Sequence, residues 1–216
     1  MLKEVCVENF TVIPEAAERG AARVELCDNL AVGGTTVSHG VAIQTIAYCH
    51  QNNIKVMSMI RPRGGNFIYN QAEIEMMKGD IAHLKQLGTD GVVFGALNES
   101  CWIDEEVMLS LLEEAKGLEV TFHMAFDEIK PELQFDAITW LAEHGVTRIL
   151  THGGPAGSKI ENNLPRLKEL VDFSKGKLTI LPGGGITDEN LTHIVNELNV
   201  TEAHGTKIVG KLESKM

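Results

Sequence analysis

A chain of 216 residues is long enough to bury a substantial core, and 44% hydrophobic with 23% charged residues is typical of a soluble globular protein. The formal net charge of −11 argues against a nucleic acid or an anionic membrane as the main partner. The sequence shows no secretion signal and no run of about 18 apolar residues, so we expect a cytoplasmic protein that does not enter a membrane.

Short apolar runs alternate with helical patterns along the whole chain. In chain order we predict strand 2–7, helix 14–19, strand 23–27, helix 41–51, strand 56–60, helix 70–87, strand 92–96, helix 104–115, strand 119–123, helix 131–143, strand 147–151, helix 161–173, strand 178–181, a helix from 187 or 188 to 198, and strand 200–204. Only a dozen residues follow, so we expect the eighth helix to be short or missing.

Eight strand–helix units without a linker predict one α/β domain over residues 1–216, a compact (β/α)8 TIM barrel. An open doubly wound sheet is the alternative. In a barrel, functional residues gather at the end where the strands finish and the following loops begin. The candidate functional residues are therefore those at the strand ends.

The predicted strand 56–60 leads directly into Arg61-Pro62-Arg63-Gly64-Gly65. A planar guanidinium suits bidentate pairing with a carboxylate or phosphate, and glycines let the backbone approach a ligand closely. Glycines also follow the last two strands, where barrel enzymes often bind phosphate. We therefore predict an anion site formed by Arg61, Arg63, Gly184, Gly185 and Gly205. Salt bridges to neighbouring loops are the alternative role of the two arginines.

Four cysteines, widely spaced and without a CxxC pair, indicate reduced thiols. Cys6 and Cys27 end adjacent predicted strands, each two residues after a glutamate, so both can face the barrel interior. Met57 and Met59 share a face of the next strand. Thiolates and thioethers are the ligands that Cu(I) prefers. We predict a Cu(I) site at Cys6 and Cys27, and thiols packed in the core are the alternative.

Five other polar residues at strand ends are candidates for acid–base catalysis or for binding a harder metal ion: Glu25, His123, Asp127, Glu202 and His204. Histidines and carboxylates both transfer protons and bind divalent ions. No fixed spacing joins these residues, so soft-metal binding, anion binding and acid–base chemistry all stay open. We expect Glu25 to point into the barrel and to hydrogen-bond a cationic or donor side chain among the strand-end residues, with Arg61 or His123 the leading candidates, because a buried carboxylate needs a partner.

These residues fall within segments that resemble the CutC family. The matching segments are residues 23–27, 33–36, 60–65, 90–95, 121–123, 125–127, 148–151 and 182–187. The resemblance implies a TIM barrel, a cytoplasmic location and a role in copper homeostasis, without a settled enzymatic reaction. Cys27 matches the family's Glu-Leu-Cys motif, and Cys6 lies where a first-strand cysteine is usual.

The sequence departs from the family pattern at four places. Met124 stands where the family's Phe-His-Arg-Ala-Phe-Asp motif has arginine, Val37 replaces a proline, His152 replaces a serine, and Gly205-Thr206 replaces a Cys/Ser-Ser-Ala run. The missing arginine weakens any anion site that depended on it, and it adds a thioether beside His123. We expect a copper ion or a small anionic metabolite as the partner, and a homodimer, because barrels often pair through their helices.

Overall fold

Strands and helices alternate as the sequence predicts in the computed structural model, which describes residues 1–155 and 157–213. The strands are β1 (Leu2–Glu8), β2 (Arg23–Cys27), β3 (Lys55–Met59), β4 (Gly91–Phe94), β5 (Glu119–Phe122), β6 (Arg148–Thr151), β7 (Thr179–Pro182) and β8 (Glu202–Gly205). The α-helices are α1 (Ile13–Glu18), α2 (His39–Gln51), α3 (Gln71–Gln86), α4 (Glu105–Glu114), α5 (Gln134–Glu143), α6 (Ile160–Ser174) and α7 (Leu191–Leu198).

Two helix boundaries differ from the prediction for a local reason. The helix expected at residues 131–143 begins as a 3₁₀ turn, Pro131–Leu133, and α geometry starts only at Gln134. The helix expected from residue 187 or 188 begins at Leu191, after a turn in which the Thr187 N–H donates to the Asn190 side chain at 2.8 Å and the Leu191 N–H donates to the Thr187 carbonyl at 3.0 Å. The Asn190 side chain thus bonds back to the start of the turn that leads into the helix.

All eight strands are parallel and form one sheet in the order β7-β6-β5-β4-β3-β2-β1-β8. Just beyond β7 and β8, the two ends of this order, the chain forms a parallel bridge between Thr187 and Lys207, and the Asp188 N–H donates to the Lys207 carbonyl at 3.0 Å. The sheet is therefore a nearly closed (β/α)8 barrel. The open doubly wound alternative is wrong.

Alternate residues of each strand face the outer helices or the barrel interior. Val5, Val7, Val24 and Leu26 face outward and belong to the core that the strands share with the helices. A separate apolar cluster inside the barrel contains Cys6, Cys27, Met57, Met59 and Val93. This division confirms the predicted strand phase, which places both cysteines and both methionines inside.

Six charged residues form a network, here called the base network, at the end of the barrel where the strands begin. Its members are Glu4, Arg23, Lys55, Glu119, Arg148 and Glu202. Arg23 pairs with Glu4 and lies 2.6 Å from the Glu202 carboxylate, which in turn lies 2.9 Å from Arg148. Arg148 also lies 2.6 Å from Glu119. Such pairing is what permits charges inside a barrel, because an isolated buried charge is costly.

The segment after β8 takes the place of an eighth helix, as the sequence predicts. It is held against α1 by Arg19, whose guanidinium donates to the Lys211 carbonyl at 2.9 Å, and by Glu15, which accepts from the Glu213 N–H at 2.9 Å. Within residues 1–155 and 157–213, none of the helices combines the length and apolar character needed to cross a bilayer.

Candidate metal and ligand site at the barrel mouth

A cavity of about 330 Å³, here called the mouth cavity, opens at the end of the barrel where the strands finish. Seven of the residues predicted from strand ends line it: Cys6, Glu25, Arg61, His123, Gly184, Gly185 and His204. Apolar side chains, among them Met59, Phe67, Met124 and Leu150, complete the wall. The structure thus brings together residues from β1, β2, β5 and β8 with the loops after β3 and β7.

Two cysteines and a glutamate meet at the inner end of this cavity, where Cys6 and Glu25 line the wall and Cys27 lies fully buried behind them. The Cys6 sulfur, the Cys27 sulfur and a Glu25 carboxylate oxygen all lie within 4.8 Å of one another, and all three residues are buried. The Cys27 sulfur lies 3.5 Å from Glu25 Oε2. With His204 of β8, these residues form a group that we call the thiol cluster. The arrangement follows from register, because Cys6 is paired with Glu25 across β1 and β2.

A glycine loop covers Cys27. Gly34 has a φ of +89°, and a Cβ atom there would lie 3.1 Å from the Cys27 sulfur and 3.5 Å from the terminal methyl of Met59. A side chain at residue 34 would therefore be strained by its backbone conformation and would crowd the thiol. The close approach places the sulfur and the Met59 thioether on the same side of the barrel floor.

The thiol cluster favours one thiolate at Cys6. A hydrogen bond from the Cys27 thiol lowers the pKa of Cys6 to about 5 against the opposing effect of burial, and His204 lowers it further. The pKa of Cys27 is raised well above its usual value, because Cys27 is the donor in that bond and is buried. Burial, together with the charge of Cys6, raises the pKa of Glu25 well above its usual value. Both effects favour the neutral form of Glu25 compared with an exposed glutamate.

His204 connects the thiol cluster to the base network. Its Nδ1 donates to Glu4 Oε1 at 2.7 Å, and its Nε2 lies 3.8 Å from Glu25 Oε2. Burial favours the neutral ring, but Glu25, Cys6 and Glu4 together raise the pKa of His204 well above its usual value. The imidazolium form of His204 is therefore favoured next to Cys6. Among the described residues, neither leading candidate, Arg61 or His123, hydrogen-bonds Glu25, and the neighbouring cation is His204 of β8, another of the predicted strand-end residues.

Arg61 holds loops together as well as lining the cavity. Its guanidinium donates to the carbonyls of Val32 at 2.9 Å, Gly34 at 3.1 Å and Gly65 at 2.7 Å, and it lies over the Phe67 ring. These bonds join the loops after β2 and β3. The bracing role that the sequence left open therefore accounts for most of its donors.

Arg63 and Gly205 are not brought to the mouth cavity. Arg63 pairs with Glu73 of α3 at 2.5 Å and donates to the carbonyls of Asn66 and Ile68. Gly205 lies where the backbone of the last strand meets the loop after β7, since a Cβ atom there would be 2.4 Å from the Ile186 carbonyl oxygen. Of the five residues predicted to bind an anion, Arg61, Gly184 and Gly185 line the cavity.

His123 points an N–H group into a buried environment. Its Nδ1 accepts a hydrogen bond from the Ala125 N–H at 3.3 Å, so the proton of the neutral ring lies on Nε2. Within the described residues that Nε2 is buried without a hydrogen-bond partner. Burial, reinforced by the charge of Arg61, lowers the pKa of His123 to about 3. His123 is therefore a neutral hydrogen-bond donor, and its ring packs 4.8 Å from that of Phe67.

Asp127 lies in a neighbouring cleft of about 710 Å³, which shares Phe67 and Met124 with the mouth cavity. Its carboxylate accepts from the Thr151 hydroxyl at 2.5 Å and from the His152 and Gly153 N–H groups at 2.9 and 3.2 Å. Burial nevertheless raises the pKa of Asp127. Asp127 and the thiol cluster are thus separated by the two shared side chains.

Two residues next to the site, Glu4 and Arg23 of the base network, are not identified by the strand-end pattern, because they lie near the start of their strands. Both lie in phase with the cysteines along β1 and β2, so the alternation Glu4-x-Cys6 and Arg23-x-Glu25-x-Cys27 contains the signal. The pairing of Glu4 with His204 required the closure of the barrel.

The family model described as the CutC family matches residues 1–209 of this chain. A CutC family protein from Enterococcus faecalis is 57% identical over 209 residues, which cover 97% of this chain and all of that protein. A protein named copper homeostasis protein cutC homolog, from Homo sapiens, is 44% identical over 203 residues, covering 94% of this chain and 72% of the relative.

The fold is also found in solved structures. The crystal structure of CutC from Streptococcus agalactiae superposes with a TM-score of 0.94 at 44% identity, covering 96% of this chain and 99% of that one. A structure described as QR15, an aldolase, has a TM-score of 0.70 at 13% identity and covers 96% of this chain and 90% of that one, which shows a shared barrel fold alone. On the match of the family model and these identities, the chain belongs to the CutC family.

Proposed function

We propose that this protein acts in copper homeostasis by binding Cu(I) through Cys6 and Cys27 at the inner end of the mouth cavity. The observation that carries the proposal is the convergence of two buried sulfur atoms and a carboxylate oxygen within 4.8 Å, beside an open cavity that Cys6 and Glu25 line. The human relative is named a copper homeostasis protein homolog, which agrees with this role.

The donor set suits a soft monovalent ion. Thiolates and thioethers select Cu(I) over harder ions, and the Met59 thioether lies on the same side of the floor as Cys27. Cys6 supplies a thiolate with a pKa of about 5, so no proton need leave this sulfur at neutral pH. The adjacent His204 imidazolium offsets the negative charge that a second thiolate at Cys27 would add.

A competition titration tests this proposal. Reduced protein, titrated with Cu(I) held by a chromogenic chelator, should take up one ion per chain, and the double variant Cys6→Ser/Cys27→Ser should take up none. Cys101→Ser is the matched control, because Cys101 is an exposed free thiol outside the barrel. Unchanged stoichiometry in the double variant, or an equal loss in Cys101→Ser, would contradict the proposal.

A second candidate function is a barrel enzyme that acts on a small phosphorylated or carboxylated metabolite. It is favoured by the buried, unpartnered His123 N–H beside the Arg61 guanidinium, since two such donors suit an anionic oxygen. His123, Glu25 and His204 would be the catalytic candidates at the cavity, with Asp127 in the adjoining cleft and Gly184 and Gly185 near the anion.

Thermal shift assays separate this candidate from copper binding. Inorganic phosphate or small carboxylates should raise the melting temperature of the wild type by mass action. His123→Asn should lose that shift and keep its Cu(I) stoichiometry, and Arg63→Ala, outside the cavity, should keep both. A screen in which no anion stabilises the wild type, or in which His123→Asn keeps the full shift, would count against the second candidate.

The proposal also includes a cytoplasmic location and a homodimer. Reduced, widely spaced cysteines suit a reducing compartment, and barrels commonly pair through their outer helices. Cell fractionation measures the first, and sedimentation equilibrium of the full chain measures the second. Recovery outside the cytoplasm would contradict the location, and a monomeric mass at all concentrations would contradict the dimer.

A further inference from the structure

Two exposed imidazoles contact each other where α2 and α3 meet on the outer surface. His39 is the first residue of α2, and His83 lies in the last turn of α3. His39 Nδ1 lies 2.9 Å from His83 Nε2, and the ring centroids are 5.0 Å apart. Because both residues are on helices, the positions of their Cα atoms are fixed by packing rather than by a loop.

This contact differs from those that other histidines of the chain make. Four other histidines have oxygen atoms as partners within 3.2 Å: His50, His144, His152 and His204. In the His39–His83 pair one ring nitrogen donates to the lone pair of the other, so the two nitrogens share a single proton. A metal ion that replaces this proton uses both lone pairs, and a rotation of the two exposed rings turns them toward one point beside the line that joins the nitrogens.

The spacing of the two nitrogens is close to that of adjacent ligands around one metal ion. With metal–nitrogen bonds of about 2.0–2.1 Å, two ligands at right angles lie about 2.9 Å apart, and two tetrahedral ligands lie about 3.4 Å apart. The observed 2.9 Å is a hydrogen-bond distance near both values, so a small rotation of either exposed ring brings both nitrogens onto one ion. Tetragonal coordination by imidazole is characteristic of Cu²⁺ and Ni²⁺, and Cu²⁺ binds most strongly among the divalent ions of this series.

A carboxylate next to the pair supplies negative charge. Asp80 lies three residues before His83 on α3, hence on the same face of the helix. Its carboxylate accepts a hydrogen bond from Thr36 and interacts with the charge of His83, while partial burial raises its pKa. Asp80 therefore offsets the charge of a cation at the two imidazoles and can contribute an oxygen ligand after a change of rotamer.

We propose that His39 and His83 form a surface site for one divalent ion of tetragonal geometry, Cu²⁺ or Ni²⁺, with Asp80 as the neighbouring carboxylate. The site lies outside the barrel and uses nitrogen rather than sulfur ligands. It is independent of the Cu(I) proposal, and either can fail without the other.

Calorimetric titration of the full-length, untagged protein with Ni²⁺ tests the site, because Ni²⁺ does not oxidise the thiols. We expect one ion per chain, and at least a tenfold loss of affinity in His83→Ala and in His39→Ala, since each removes one of two nitrogen ligands. His50→Ala is the matched control, because His50 is an exposed histidine in the last turn of α2 that pairs with Asp90. Asp80→Asn should weaken binding by less than either histidine variant.

Electron paramagnetic resonance of Cu²⁺ gives the ligand set directly. In the Cys6→Ser/Cys27→Ser background, the spectrum should show superhyperfine coupling to two nitrogens, reduced to one in His83→Ala. His83→Gln, which keeps the side-chain volume, separates ligand loss from any effect on packing and should also give one nitrogen. Unchanged Ni²⁺ affinity in His39→Ala and His83→Ala, or an equal loss in His50→Ala, would overturn the proposal. Loss of Ni²⁺ binding in the serine background would overturn it as well.

Discussion

The barrel interior contains two polar regions, and they differ in how their charges are compensated. In the base network each charged side chain lies within 3 Å of an opposite charge; the Arg23–Glu4 contact is buried, and the contacts of Glu202 with Arg23 and Arg148 are partly buried. In the thiol cluster and beside it, the Cys6 thiolate, the Glu25 carboxyl group with its raised pKa and the His123 N–H, which has no hydrogen-bond partner among the described residues, face a cavity.

This difference separates a structural region from a functional one. Buried ion pairs that satisfy one another leave no donor or acceptor for a ligand, and their removal costs stability. Groups left without partners next to a cavity gain a partner when a ligand enters, so they carry binding or catalysis. His204 belongs to both regions, since one ring nitrogen binds Glu4 and the other faces Glu25.

The largest expected effect comes from a substitution at the centre of the base network. Arg23→Met removes the guanidinium that pairs with both Glu4 and Glu202 and leaves buried carboxylates uncompensated. We expect a loss of about 3–5 kcal/mol in the free energy of unfolding, measured by urea denaturation. Lys55→Met is the matched control, because Lys55 is 52% exposed at the outer end of the network, and its pair with Glu119 should be worth less than about 1 kcal/mol. Equal losses in the two variants would contradict the assignment of the base as structural.

A smaller effect is expected at low pH from Glu4 in the base network. Burial opposes ionisation, but His204 and Arg23 lower the pKa of Glu4 from 4.5 to about 2. A carboxylate with a lowered folded-state pKa contributes stability above its unfolded pKa, and this contribution is lost as the pH falls from about 4.5 toward 2. Glu4→Gln should therefore cost about 3 kcal/mol at pH 7 and progressively less as the pH is lowered. A cost independent of pH, measured by denaturation at several pH values, would show that Glu4 acts through shape alone.

The barrel fold and most of the residues that line the mouth cavity could be predicted from the sequence alone. Strand phase follows from alternation within a single strand, so Cys6, Glu25 and Cys27 could be placed inside without knowledge of their neighbours. Glycines and polar residues at strand ends located the mouth in the same way, since that rule needs only the direction of each strand.

The hydrogen-bond and ion-pair partners of these side chains could not be predicted, because they depend on which strands become neighbours. The parallel pairing of β1 with β8 joins residues 200 positions apart, and it brings His204 to Glu4 and Glu25. The role of Arg61 could not be predicted either, because its partners are backbone carbonyls whose positions are set by loop conformation. No pattern of side chains along the sequence identifies such contacts.

The smallest effect, and the sharpest comparison with Glu4, comes from Glu25 in the thiol cluster. Its raised pKa means that the folded state holds a proton which the unfolded state releases above about pH 4.5. Stability therefore falls as the pH rises above that value, by at most about 1.4 kcal/mol per pH unit for this one proton. Glu25→Gln removes this dependence, because the amide is neutral at every pH.

Glu25→Gln should be close to wild type in stability at pH 4 and more stable than wild type between pH 5 and 6, whereas Glu4→Gln is less stable at both. Denaturation of the two isosteric variants at matched pH values measures the contrast. If Glu25→Gln instead loses stability at pH 6 by as much as Glu4→Gln, then Glu25 is ionised and paired in the folded state. The thiol cluster would then be a continuation of the base network, and the division between a structural base and a functional mouth would fail.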